Sequence, residues 1–270
     1  MSPTPSYEFI TYEHTDKIVT ITLNRPERMN AVHPPTTDEL VDAWQHFKDD
    51  DDAWIAILTG AGGRAFSAGN DLKYAAQVGS AKVTSSGSTQ PGGLGGHTRD
   101  FTCWKPMIAA VNGYALGGGF EMALACDIII AADHARFGLP EPTVGFMASS
   151  GGAQRLPRYM PFKTAMGYML TARQMTAQEA LQWGLVNEVV PQADLMSTAH
   201  RWAEEILRCS PLSIRATKEA AIRGHDMPLI PAIEHVYHNQ LLMMASEDFI
   251  EGPLAFSEKR PPNWTAKPRH

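Results

Sequence analysis

Short apolar runs, each cut off by Gly, Asn, Asp or Pro, dominate the first half of the chain. Runs of that length are strands more readily than helices. Residues 7–14 and 17–23 predict two strands joined by a tight turn at Asp16-Lys17, a β-hairpin. Residues 54–59 (Trp-Ile-Ala-Ile-Leu-Thr), 107–111 (Met-Ile-Ala-Ala-Val) and 126–132 (Cys-Asp-Ile-Ile-Ile-Ala-Ala) predict three buried strands. Thr37-Asp38 opens a helix that carries Leu40, Val41, Trp44 and Phe47 on one face, and a second helix is predicted over 120–126. Strand–helix alternation from 54 to 132 implies an α/β layer with parallel strands. From Gly151 onward the pattern is helical: 151–159, 161–171, 177–183 behind a Thr176…Glu179 capping box, 192–209, 211–223, 229–244 and a last helix over 248–258. The break at Cys209-Ser-Pro divides a core domain, 1–209, from a helical region, 210–270.

Composition narrows the class. A chain of 270 residues, 44% apolar, buries a full core. A net charge of −6 without a basic block argues against nucleic acid and an acidic membrane surface. Three scattered cysteines give neither a metal knuckle nor a disulfide framework, and fit a reducing compartment. The first residues lack the pattern of a signal peptide. The apolar stretch 107–132 carries Asn112, Glu121 and Asp127, so it reads as core rather than as a membrane span. A cytoplasmic protein is expected.

Candidate chemistry centres on residues 105–127. A strand ends at Asn112-Gly113, three glycines (Gly117, Gly118, Gly119) precede the helix, and Glu121 follows among apolar neighbours. Glycines let a ligand approach the backbone, and the first amides of a helix are unpartnered donors. This points to chemistry on a carbonyl whose oxygen becomes negative. A second acid, Glu141, stands between Pro140 and Pro142, which stiffen its backbone. Residues 79–96, rich in Gly, Ser, Thr and Pro, read as a mobile loop, either a lid or functionless. Arg25 and Arg28 are either phosphate ligands or solvated. Three further patterns weigh little. Gly60-Ala-Gly-Gly-Arg-Ala65 has the form of a dinucleotide fingerprint but lacks its downstream acid. Ser67 has an incomplete nucleophile elbow around it. His235 and His238 lack a third metal ligand, so no metal is expected.

The chain resembles the crotonase (enoyl-CoA hydratase/isomerase) superfamily. The resemblance runs through residues 23–26 (Leu-Asn-Arg-Pro), 65–73 (Ala-Phe-Ser-Ala-Gly-Asn-Asp-Leu-Lys), 105–113, 115–121, 137–141 (Phe-Gly-Leu-Pro-Glu), 154–157, 184–187 and 256–260. Each fragment is weak alone; their common order is specific. The resemblance implies an α/β crotonase-like spiral of ββα units with a helical C-terminal region, assembled as a homotrimer or dimer of trimers. It implies a hydratase acting on an acyl-CoA thioester, with coenzyme A as part of the substrate and no separate cofactor. Ala68 and Gly118 are similar to the two oxyanion-hole residues, and Glu121 and Glu141 to the catalytic acid pair. Ala68, Gly69, Asn70 and Asp71 resemble the stretch along the pantetheine. Arg28, Lys73 and, from a neighbouring subunit, Phe256 and Lys259 resemble positions near the adenine and phosphates.

In that reading Glu121 deprotonates water and a protonated Glu141 supplies Cα, giving syn addition to a 2-enoyl-CoA. Ala148 and Ser149 depart from the Ile-Pro-Gly pattern of many hydratases, which leaves the acyl group open. Residues 251–262 resemble the branch containing carnitinyl-CoA dehydratases. A Δ3-Δ2 enoyl-CoA isomerase using Glu141 alone, and a non-catalytic acyl-CoA- or RNA-binding relative, are the alternatives.

Overall fold

The structure, a computed structural model, describes residues 5–79 and 91–269. It divides into two compact units, residues 1–102 with 107–200 and residues 103–106 with 201–270. In chain order the strands of the first unit are β1 (Ile10–Thr15), β2 (Ile18–Leu23), β3 (Ile55–Gly60), β4 (Ala65–Ser67), β5 (Met107–Val111), β6 (Tyr114–Leu116), β7 (Ile128–Ala132), β8 (Arg136–Gly138), β9 (Met175–Thr176) and β10 (Glu188–Val190). The predicted hairpin is present, with Ile10 opposite Leu23. From β2 the larger sheet continues in parallel through β3, β5, β7 and β10. Every residue of β3 and β5 is buried, as parallel strands covered on both faces require.

A second sheet, in the order β4-β6-β8-β9, is absent from the hydrophobic pattern and supplies the second strand of the ββα units that the resemblance implies. Its strands are two or three residues long, too short to show a period. Each of β4, β6 and β8 follows a long strand of the first sheet after a turn, so that two strands precede a helix in each repeat.

The helices of this unit are α1 (Pro34–Asp49), α2 (Leu72–Val78), α3 (Gly118–Ala125), α4 (Gly152–Tyr159), α5 (Phe162–Thr171) and α6 (Ala177–Gln182), and α7 (Leu195–Leu207) follows. Helix α1 starts earlier than expected because Pro34 suits a first turn that needs no N–H from it. It buries Leu40, Ala43, Trp44 and Phe47. The capping box at Thr176 is present in full.

The second unit contains α8 (Pro211–Gly224), α9 (Leu229–Glu234), α10 (His238–Met244) and α11 (Asp248–Glu258). The single helix expected over 229–244 is broken at His235, whose backbone is extended. The buried Glu219 carboxylate accepts both the backbone N–H (2.7 Å) and Nδ2 (2.8 Å) of Asn239, which fixes the start of α10. Buried Asp248 accepts from Ser210 Oγ at 3.0 Å and Thr265 N at 2.8 Å, tying down the final segment. Among the described residues no helix is long and apolar enough to cross a membrane, and no group of three or more His, Cys, Asp or Glu could hold a metal ion.

Candidate active site

The site grows out of the turn after β5. Asn112 Nδ2 donates to Gly60 O at 2.7 Å and also to Gly62 O, which locks the end of β3 to the end of β5. Strand β6 then leads into Gly117, whose φ of 55° and ψ of −126° suit glycine alone. Helix α3 begins at Gly118, earlier than the expected Phe120, so the glycines belong to its first turn. The Gly118 N–H has no partner within that turn.

Glu121 follows in the same turn and is only 3% exposed. Its Oε1 accepts the Gly152 N–H at 2.8 Å from the start of α4. Burial pushes its carboxyl up to about 7; the Gly152 N–H opposes the rise, the charge of Glu141 adds to it, and the Ser150 N–H and Arg155 oppose it. Glu141 is thus near enough for its charge to act on Glu121. Glu141 opens a short turn, Glu141–Val144, with proline on each side as expected. A side chain on Gly117 would put its Cβ 3.0 Å from Glu141 Oε1, so this carboxylate lies across the glycine corner. Burial raises Glu141 as well, partly offset by its own N–H. Its Oε2 is buried with no hydrogen-bond partner among the described residues, a costly state for an ionised oxygen.

The loop carrying Ala68 corrects one expectation. The Ala68 N–H donates to Met29 O at 2.9 Å and is therefore already committed. One residue on, Gly69 O accepts from Val32 N (2.8 Å), and two further along Asp71 N donates to Val32 O (2.9 Å). Both neighbours of Asn70 are thus turned towards Val32. In an extended chain Asn70's own N–H faces the other way, and it donates to no acceptor among the described residues. The loop meets α3 directly, since a Cβ on Gly69 would lie 2.7 Å from Gly118 N. Among the described residues, the amides at this junction without an acceptor are therefore those of Asn70 and Gly118. Only the pattern of bonds to Val32, absent from the linear sequence, separates Asn70 from Ala68.

Other candidates sort by what they touch. Arg25 Nη2 pairs with Asp71 at 3.0 Å and its Nη1 donates to Ala31 O, so it is a structural cation rather than a phosphate ligand. Asp71 also caps α2 through Tyr74 N at 3.0 Å. Arg28, Lys73, Phe256 and Lys259 are exposed. Ser67 is fully buried, donates to Asn30 O at 2.8 Å and accepts from Gly69 N, which fits a loop brace and not a nucleophile. The glycine-rich stretch after β3 runs into β4 rather than into a helix, so it lacks the geometry of a dinucleotide site. Of the loop expected over 79–96, residues 80–90 lie outside the described residues. Gly92 to Thr98 are buried and pinned rather than mobile. Sequence reasoning also missed Gly152 and Ser150 as donors to Glu121; the signal available was Gly151-Gly152 at the start of a helix.

A family model described as enoyl-CoA hydratase/isomerase matches residues 13–267. Carnitinyl-CoA dehydratase of Escherichia coli (strain K12) is 46% identical over 254 residues, covering 93% of this chain and 95% of that protein. Carnitinyl-CoA dehydratase of Salmonella arizonae is 45% identical over 251 residues, covering 92% and 94%. The crystal structure of enoyl-CoA hydratase from Mycobacterium tuberculosis H37Rv superimposes with a TM-score of 0.88 at 37% identity, over 96% of this chain and 99% of that one. Enoyl-CoA hydratase from Bacillus anthracis gives 0.90 at 35% identity, over 96% and 100%.

Proposed function

This chain belongs to the enoyl-CoA hydratase/isomerase family, and on that premise we propose that it adds or removes water across the Cα–Cβ bond of an acyl-CoA thioester. The observation that carries the proposal is the meeting of Glu121 and Glu141 beside the Gly117-Gly118 corner, where a free amide opens α3. The thioester oxygen takes the Gly118 and Asn70 N–H groups. As water attacks Cβ, charge gathers on that oxygen, and losing one such donor typically costs about 3 kcal/mol.

Hydrogen bonding distributes the proton. Glu121 is supported as an anion by the Gly152 and Ser150 N–H groups and takes the proton of the attacking water. Glu141 Oε2, with no donor to it among the described residues, suits the protonated form and delivers its proton to Cα. Hydroxyl ends on Cβ and hydrogen on Cα; the reverse sequence is dehydration of a 3-hydroxyacyl-CoA.

The likeness to carnitinyl-CoA dehydratases over nearly the whole chain supports a polar, carnitinyl-type acyl group ahead of a simple crotonyl one. For the rest of the thioester we place Gly69, Asn70 and Asp71 along the pantetheine, and Arg28 and Lys73 near the phosphates. Phe256 and Lys259 would come from a neighbouring copy in a homotrimer or dimer of trimers. The test follows the absorbance of the conjugated enoyl thioester with carnitinyl-CoA and crotonyl-CoA for the wild type, Glu121→Gln and Glu141→Gln. Loss of kcat by about 10²–10⁴ in both variants is expected. Hydration that survives Glu121→Gln overturns the two-acid mechanism in favour of a single-acid isomerase. Binding without turnover across the panel overturns the enzyme reading.

A further inference from the structure

Residues 91–98 read Pro-Gly-Gly-Leu-Gly-Gly-His-Thr, so one side chain, Leu94, stands between two pairs of glycines. Gly92, Gly93, Gly95 and Gly96 all take positive φ, at 76°, 69°, 70° and 76°. Other residues resist that succession, so this backbone path belongs to glycine. The path is also tightly enclosed. Gly95 packs on Met122, and a Cβ on Gly96 would stand 2.8 Å from Val41 N in α1. Thr98 Oγ1 donates to Leu94 O at 2.8 Å, and Arg155 Nη2 donates to Thr98 O at 2.8 Å. The His97 ring bridges Gly95 O (2.8 Å) and Met122 O (3.0 Å), one residue beyond Glu121. The outcome is a single methyl-bearing group set in one place. Leu94 is 4% exposed, and its Cδ2 occupies the space that a side chain on Gly118 would fill.

We propose that Leu94 determines specificity at the carbonyl end of the acyl site, admitting thioesters unbranched at Cα and rejecting those with a Cα methyl. This rests on the assignment of the Gly118 N–H to the thioester oxygen. An acyl carbonyl held there brings its own Cα against the residue that covers Gly118. A methyl on that carbon competes with Leu94 for volume, and the pinned glycine path cannot retreat. Discrimination by one carbon in an apolar pocket is about 10–200-fold.

The experiment compares kcat/KM for crotonyl-CoA and 2-methylcrotonyl-CoA in the wild type, Leu94→Ala and the near-isosteric Leu94→Met. Calorimetric affinities for butyryl-CoA and 2-methylbutyryl-CoA are measured beside them. Each preference is a ratio within one preparation, so a partly unfolded variant still reports it. The wild type is expected to favour the unbranched member at least tenfold, Leu94→Ala to narrow that preference tenfold or more, and Leu94→Met to keep it. An unchanged ratio in Leu94→Ala with only a lower Tm assigns Leu94 to the core and overturns the proposal, as does a wild type without preference. Should the wild type bind the saturated thioesters yet turn over no enoyl thioester, the hydratase reading fails while the affinity ratio still decides the role of Leu94.

Discussion

A carboxyl that is 3% exposed and feels the charge of a second acid resists ionisation on two counts. Glu121 ionises near 4.5 when unfolded and at about 7 in place, so across that window the native state keeps a proton that the unfolded chain has released. Stability therefore falls as pH rises from 4.5 to 7 and stays lowered above it. Glu121→Gln removes the penalty and keeps an oxygen for the Gly152 N–H. It is expected to be more stable than the wild type by about 3 kcal/mol at pH 8 and about equal at pH 4, as read by thermal unfolding. The same residue links stability to chemistry, because the acid pair must carry one proton. Such a pair titrates jointly. Because Glu121 must be ionised to take the proton of water, kcat/KM for hydration is expected to fall on the acid side of about pH 7, approaching tenfold per pH unit, in a pH–rate profile. A flat profile from pH 5 to 8 would show that Glu121 is not the base.

At the scale of elements, the site is a junction of backbone rather than of side chains. Gly69 has φ of 81°, and a Cβ there would lie 2.7 Å from both Gly118 N and Leu116 O. Gly69→Ala therefore strains the loop by roughly 1–2 kcal/mol and also parts the Asn70 and Gly118 donors. Its kcat is expected to drop at least tenfold, more than its melting temperature suggests. Thr176→Ala supplies the contrast: losing the cap of α6 costs about 1 kcal/mol of stability and leaves kcat unchanged. Steady-state kinetics beside thermal melts separate the two kinds of loss. The long strands, α1 and the capping box were readable because burial and capping leave a local pattern. The second sheet was not, because strands as short as Ala65–Ser67 and Tyr114–Leu116 are defined only by what they pair with.

For the molecule as a whole, the second unit poses the question of assembly. It exposes Leu229, Ile230, Ile233, Val236 and Phe256, an apolar display larger than isolated surface residues require. In line with the proposed homotrimer or dimer of trimers, sedimentation is expected to report three or six copies of the chain. A monomer at micromolar concentration would remove the roles proposed for Phe256 and Lys259 and leave the acid pair untouched. The sequence reached the helical character of this unit but not the break at His235, because the contact of Glu219 with Asn239 that creates it joins residues far apart in the chain.

From the sequence alone came the class of fold, the strand-glycine-helix order around Gly118 and the two acids, since each is written in neighbouring residues. Tertiary structure decided which amides are free, how far burial raises Glu121, and that Leu94 rather than a mobile loop faces Gly118. Those outcomes depend on distances between segments that are remote in sequence: Met29 takes the Ala68 N–H, Gly152 meets Glu121, and Gly95 settles on Met122. Local pattern records which groups are present, and only folding determines which partners they find.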